Sequence, residues 1–271
     1  MAGGTIRVGT SGWVYPPWRG TFYPPKLPQR RELEHLSSTL NSVEINGSFY
    51  ALQKPDSFRK WFDQTPDDFE FSVKGPRFIT HMKKLVDVET PLANFFASGI
   101  LALEHKLGPV LWQLPPTMPF DAAVLQRFLS QLPRTTAEAA EMATHHDARL
   151  DGRSLTATDT DRPVRHALEV RHPSFVDSDI ADVVRAADVA LVLADSAGKF
   201  PVIDEVTTDF AYARLHGDAE LYVSGYTDDA LDTWAKRFRT RAATGDVYVY
   251  FDNDAKVRAP VDARGLLDRL S

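Results

Sequence analysis

The sequence predicts an α/β protein of the TIM (β/α)8 type, a barrel of eight parallel strands. Three observations carry this. Eight short apolar runs recur along the 271 residues, most intervals between them are long enough for a helix, and each run ends in a polar or charged residue. The runs are IRVGTSGW (6–13), SVEINGSFY (42–50), DFEFSVKG (68–75), PVLWQLPP (109–116), RHALEVRH (165–172), VALVLADS (189–196), DFAYARLH (209–216) and DVYVYFDND (246–254). Strands alternating with helices predict parallel βαβ units, and eight such units close a barrel with its site at the C-terminal strand ends. The length suits one domain spanning 1–271.

The connections read as helices in turn. Residues 29–40 place Leu33, Leu36 and Leu40 on one face, and 55–64 open with Pro55-Asp56-Ser57 and carry Phe58, Trp61 and Phe62. Residues 91–107 repeat Leu92, Phe95, Phe96, Ile100 and Leu103, and 121–132, 177–188, 227–243 and 260–270 follow the same spacing. Two connections depart from the pattern. The long polar segment 134–164 holds an extra helix around 136–150, between strands four and five. The sixth connection, SAGKFPVIDEVTTD, is short and contains a proline, so its helix is short or missing.

Composition narrows the function classes. With 43% hydrophobic and 25% charged residues the chain is of the globular type. A net charge of −6 gives no overall attraction to nucleic acid or to an anionic membrane. The absence of cysteine excludes disulfides, thiolate metal sites and a cysteine nucleophile. No apolar stretch approaches the about 20 residues needed to span a bilayer, and the N-terminus has no signal-peptide pattern. The expectation is a cytoplasmic monomer or small homo-oligomer without membrane contact.

Residues two apart on a strand share a face. Glu44, Asn46 and Ser48 therefore fall together on strand two, opposite Val43 and Ile45, and Glu70, Ser72 and Lys74 together on strand three. Glu169 pairs with Arg171 on strand five, and Arg214 with His216 on strand seven. The apolar partners suit the helix layer, so the polar face points inward. Gln113, Asp195 and the run Asp252-Asn253-Asp254 complete the ring, and Arg7 is expected near the barrel bottom beside Glu44 or Glu70. So many buried charges are costly unless they pair internally or meet a ligand.

Lys74, Arg171 and Arg214 converging on one mouth suggest a bound anion, with Asn46, Gln113, Asp195 and Asn253 as further substrate contacts. Glu169, Glu44 and His216 are the candidate acid/base groups. The competing reading is an internal ion-pair network; for His216 it is a hydrogen-bonded rim position. No cofactor is expected. A divalent metal is the weaker alternative, because the ring has no compact ligand motif and its three cations would repel a metal. The first loop adds Trp13 and Tyr15 as candidate substrate contacts, with Trp18, Phe22 and Tyr23 after them. These rings either stack on a substrate or pack on one another, and Tyr222 and Tyr226 pose the same choice. No GxxxxGK[ST] or GxGxxG occurs after a strand.

Taken together, GTSGWVYPPWRGTFYP, SVEINGSFY, KWFDQTPDDFEFSVKGPRFITH, LGPVLWQLPP, ALEVRHPSF, the Asp195-Ser196 tip, YARLHG and VYVYFDNDAKVRAP resemble the YecE-like family, domain of unknown function 72. They cover nearly the whole chain in the family's order, with departures such as Asp252 in place of the usual asparagine and Phe200 in place of the usual tryptophan. The resemblance implies a TIM barrel and supplies no activity. The residues themselves point to an enzyme, a hydrolase or lyase acting on a small phosphate- or carboxylate-bearing substrate or a phosphodiester. The alternative is a non-catalytic binder of single-stranded nucleic acid or another anion, and a third reading is a network that serves stability alone.

Overall fold

The computed structural model describes residues 3–270. Its strands are β1 (Ile6–Thr10), β2 (Ser42–Ile45), β3 (Glu70–Lys74), β4 (Leu107–Gln113), β5 (His166–Glu169), β6 (Ala190–Leu191), β7 (Leu193–Asp195), β8 (Phe210–Leu215) and β9 (Asp246–Phe251). They pair in parallel as two sheets, a four-stranded one ordered β1-β9-β8-β7 and a five-stranded one ordered β2-β3-β4-β5-β6. This corrects the expectation of one continuous eight-stranded sheet. The sixth apolar run is interrupted at Val192, and its two halves belong to different sheets.

The physical reason lies in the backbone bonding at two seams. At the first, the Val192 amide donates to Leu168 of β5 (3.0 Å), whereas the Leu191 amide donates to the Thr207 hydroxyl (2.9 Å), which in turn donates to the Val189 carbonyl (2.8 Å). At the second, between β1 and β2, the Asn41 side chain takes the role of a strand. Its Oδ1 accepts from the Val8 amide (2.6 Å) and its Nδ2 donates to the Ile6 carbonyl (3.0 Å). Further along, Ser11 and Glu44 form a parallel bridge. In both places a side chain satisfies backbone groups that a ladder would otherwise satisfy.

The helices are α1 (Glu32–Ser37), α2 (Gly47–Tyr50), α3 (Pro55–Asp63), α4 (Glu89–Ala97), α5 (Ala122–Leu129), α6 (Thr136–Thr144), α7 (Ile180–Ala186), α8 (Asp228–Ala242) and α9 (Arg258–Leu270). Capping side chains start several of them: Asp121 accepts from the Val124 amide, Thr135 from Glu138 and Thr227 from Ala230. The extra helix between strands four and five is α6, and no helix forms in the sixth connection. The helix expected over 91–107 breaks at Gly99, whose φ is +114° and whose hydrogen faces Pro55 so closely that a Cβ would lie 2.4 Å from the Pro55 Cα. A 3-10 stretch, Ile100–Lys106, comes next.

Outward strand residues such as Val43, Ile45, Phe71, Val73, Val110 and Trp112 are buried against the helices. Trp112, for instance, meets Phe95 and Phe128 edge-on at 5.7 and 5.2 Å. The inward residues form a separate cluster of Leu111, Ala167, Ala190, Val192, Phe210, Tyr212, Tyr248 and Tyr250. Tyrosines link the two sheets: Tyr212 hydrogen-bonds Ser72 and Tyr250 hydrogen-bonds Ser42, each at 2.7 Å. Near the N-terminal strand ends Arg7 pairs with Glu70 at 2.8 Å, one of the two partners expected for it. Among the described residues no helix is long and apolar enough to cross a membrane.

Candidate functional site

Above the tyrosine layer the inward face becomes ionic. Arg214, from β8 and fully buried, binds Glu44 with a two-pronged fork (Nε to Oε2, 3.1 Å; Nη2 to Oε1, 3.0 Å). The same guanidinium donates to Glu169 Oε2 (2.8 Å), Asp252 Oδ2 (3.0 Å) and Ser11 Oγ (2.9 Å). Tyr212 and Ser11 donate to the two Glu44 oxygens at 2.7 and 2.5 Å. Arg171 Nε donates to Glu169 Oε1 at 2.6 Å, its Nη1 reaches the Tyr222 hydroxyl at 3.1 Å, and its plane covers the Phe200 ring. One arginine thus ties together carboxylates from β2, β5 and the end of β9.

These bonds set the electrostatics. Burial alone would raise Glu169, but Arg171, Arg214 and His216 outweigh it and hold the carboxyl well below its usual range. Burial likewise opposes Asp252, which His216 and Arg214 bring below its usual value. His216 is itself fully buried. Its Nδ1 shares a short hydrogen bond with Asp252, and its Nε2, 3.7 Å from Glu169 Oε1, has no hydrogen-bond partner among the described residues. The loop beyond it turns at Gly217 (φ +122°), where a Cβ would sit 2.5 Å from the Glu220 carbonyl. That turn sends Tyr222, itself at a φ of +64°, back over the His216 ring at 5.4 Å between centroids.

Above this layer opens a cleft of about 630 Å³. Lys74, Arg77 and Arg171 line it, with His81, Asn46, Gln113, Tyr15, Tyr222 and Asp252 completing the polar wall. Lys74 is only 6% exposed, and its ammonium lies 4.4 Å from the centre of the Phe49 ring. Among the described residues neither Lys74 Nζ nor the Arg77 guanidinium has a hydrogen-bond or ion-pair partner. Burial, helped by Arg214, lowers the Lys74 ammonium to about 8, although Glu44 and Glu169 oppose the shift. Burial and Lys74 lower His81 to about 4. Asn46 Oδ1 is buried and also unpartnered.

Most of the residues expected at the mouth come together here: Glu44, Glu169, Arg171, Arg214 and His216 in the network, and Lys74, Asn46, Gln113 and Tyr15 around the cleft. Others are placed differently. Strand β2 ends at Ile45, so Asn46 precedes the one-turn helix α2 without a side-chain capping bond, and Ser48 lies within that helix, donating to the carbonyls of Ile45 and Lys74. Asn253 turns away from the cleft and donates to Asp262 of α9 (2.7 Å) and to the Ser224 carbonyl (2.9 Å), whereas its neighbour Asp252 stays in the network. Asp195 accepts from Tyr226 at 2.8 Å and has no cation partner among the described residues. Trp13 meets Trp61 edge-on at 5.2 Å and lines a neighbouring cleft. Trp18, Phe22 and Tyr23 pack on one another, and Tyr15 stacks on Trp18 at 4.7 Å while its hydroxyl donates to the Ser11 carbonyl.

Arg77, His81 and Phe49 are site residues that strand alternation does not single out. His81 sits in a π-helical turn, Phe78–Met82, whose wide i→i+5 bonding has no periodic signature. Among the described residues no group of three or more His, Asp and Glu side chains is arranged to hold a metal ion.

A family profile described as "Protein of unknown function DUF72" matches residues 7–271. Two curated relatives carry the name UPF0759. YunF of Bacillus subtilis is 33% identical over 116 residues, covering 41% of this chain and 40% of YunF. YecE of Escherichia coli is 33% identical over 129 residues, covering 47% of this chain and 44% of YecE. The match thus spans less than half the length of each relative. A crystal structure of a DUF72 family protein from Thermotoga maritima superposes with a TM-score of 0.75 at 26% identity, covering 98% of this chain and 99% of that one. A DUF72 family protein from Enterococcus faecalis, 17% identical, has the same fold at a TM-score of 0.76, with 98% of this chain and 95% of that one covered. By the span of the profile and the order of its motifs, the chain belongs to the DUF72 family.

Proposed function

We propose that the protein is an enzyme that binds a small phosphate- or carboxylate-bearing molecule in the cleft above the Arg214 network and acts on it by proton transfer. The observation that carries this reading is the contrast in pairing. Arg214 and Arg171 are bound by carboxylates, whereas Lys74 and Arg77 face the cleft with no carboxylate in hydrogen-bond or ion-pair contact among the described residues. A buried ammonium with no directly bonded counter-charge is costly, and an anionic ligand would supply that contact.

The roles derive from the same contrast. Glu44 and Glu169, anticipated as proton carriers, are fully buried and engaged at both oxygens, which suits them to hold Arg214 and Arg171 in place. His81 lines the cleft, with Nδ1 at the Thr80 hydroxyl (2.9 Å) and Nε2 at Gln113 Nε2 (3.4 Å), so it is the candidate base that a ligand reaches, by displacing Gln113. The site in this reading stands at the mouth of one domain whose two sheets close a single barrel, sealed at the seams by Asn41 and Thr207. The cross-sheet bonds of Tyr212, Tyr250 and Arg214 support that closure.

The test is calorimetric titration with small phosphorylated and carboxylated compounds at two salt concentrations. The expected result is binding that weakens with salt and falls at least about tenfold in Arg77→Ala, a change at an exposed side chain. Absence of binding across the set, or an unaffected Arg77→Ala, would remove the reading. A second reading, a network that serves stability alone, rests on the pairing of Glu44, Glu169 and Asp252 with arginine. It predicts that no anion binds.

A further inference from the structure

We infer that Lys74 is a nucleophilic amine that forms an imine with an aldehyde or ketone carrying an anionic group, the anion being held by Arg77 and Arg171 at the same cleft. This rests on the anion-binding reading above and adds to it the class of substrate. The geometry is specific. Lys74 stands at the C-terminal end of β3, nearly buried, with its nitrogen against the Phe49 ring and no hydrogen bond or ion pair among the described residues to tie up its lone pair once deprotonated. The other two cations of the strand tips, Arg171 and Arg214, cannot act as nucleophiles because guanidinium does not give up its proton in proteins.

The surroundings favour the free amine. Burial and the nearby Arg214 and Arg171 guanidiniums disfavour the ammonium, Glu44 and Glu169 favour it, and the balance leaves a substantial free-amine fraction slightly above neutral pH. The other ionisable groups lining the same cleft are His81, Arg77, Arg171, Asp252, Asp254 and the tyrosines Tyr15, Tyr50 and Tyr222. The chemistry balances without any further reactant. The Lys74 lone pair forms the N–C bond as the carbonyl π pair moves to oxygen. One proton passes from nitrogen to that oxygen, and His81 of the same cleft can carry it once its Nε2 releases Gln113. The C–O bond then breaks, water leaves with a second proton, and the imine remains.

The experiment uses the whole chain with pyruvate, glyoxylate and glyceraldehyde 3-phosphate, each treated next with cyanoborohydride and read by intact-mass and peptide mass spectrometry. The expected result is one reduced adduct, located at Lys74, absent in Lys74→Arg and competed by inorganic phosphate. An adduct spread over exposed lysines such as Lys83 and Lys84, or no adduct at Lys74, overturns the inference. Calorimetry on the same samples separates the two claims. Phosphate binding without an adduct leaves the anion site and removes the amine chemistry. A Lys74 adduct formed equally well with uncharged acetaldehyde, and not competed by phosphate, keeps the amine and removes the anion site.

Discussion

Two ionic layers lie one above the other at the C-terminal ends of the strands, and they use their charges in opposite ways. In the lower layer Arg214 meets Glu44, Glu169 and Asp252, and almost every donor and acceptor is engaged. In the upper layer, among the described residues, neither buried Lys74 nor exposed Arg77 has a direct ion-pair partner, and Asn46 Oδ1 is unpartnered. Similar residue types are therefore tied together by ion pairs in one place and left facing a cleft in the other. Charge on a strand tip is a weak indicator of function; unsatisfied charge is a stronger one.

The contrast breaks first at the floor. Arg214→Met leaves buried Glu44 with no cation and takes one cation each from Glu169 and Asp252, so it should cost about 3–5 kcal/mol in urea unfolding or prevent folding. A loss below about 1 kcal/mol would mean that the floor does not depend on that arginine.

Lys74→Met should act in the other direction, stabilising by about 1–3 kcal/mol at pH 7, because it removes a desolvated cation that has no hydrogen-bond or ion-pair partner among the described residues. The pH dependence has a definite sign. Lys74 is lowered from 10.5 to about 8 in the folded protein, so between these values the unfolded chain holds more protons and stability rises with pH. Below about 8 both states are protonated and the full cost is present. The stability difference between Lys74→Met and the parent should therefore be constant below about pH 8 and shrink from there to about pH 10.5. A difference independent of pH over that window would place the Lys74 ammonium in water.

Smaller effects sharpen the boundary between the layers. Tyr222→Phe removes the hydroxyl that Arg171 reaches at 3.1 Å and should cost about 0.5–1.5 kcal/mol, read as a lower urea midpoint. Asp56→Asn breaks an exposed pair with Arg59 on α3 and should change stability by less than about 0.5 kcal/mol. A larger effect there would show that surface pairs in this molecule contribute on the scale of the buried ones.

The floor was legible in the sequence because strand alternation has a period of two. That rule alone puts Glu169 with Arg171, Arg214 with His216, and Ser72 with Lys74 on the inward face, opposite Phe71, Val73 and Val170. The cleft was less legible because it is built largely by the loops and turns beyond the strand ends. Asn46 and Ser48 continue the alternation in the sequence, but Gly47–Tyr50 coil into a helical turn. The turn that brings His81 to the cleft has no repeating pattern, and Asn253 points outward because Asp262, nine residues later on α9, offers it an acceptor. The interruption at Val192 was hidden for a similar reason. VALVLADS reads as one apolar run, and the side chain that replaces its partner strand, Thr207, lies in a segment without regular structure.

The two seams have a consequence for motion. A backbone ladder is cooperative, whereas a single amide or hydroxyl can rotate away at the cost of a hydrogen bond or two. The Val8 and Leu191 amides, held by Asn41 Oδ1 and Thr207 Oγ1, should therefore exchange with deuterium faster than equally buried amides within β8 or β4. Any breathing of the two sheets against each other would open first at these two pegs and be limited inside by the cross-sheet bonds of Arg214, Tyr212 and Tyr250.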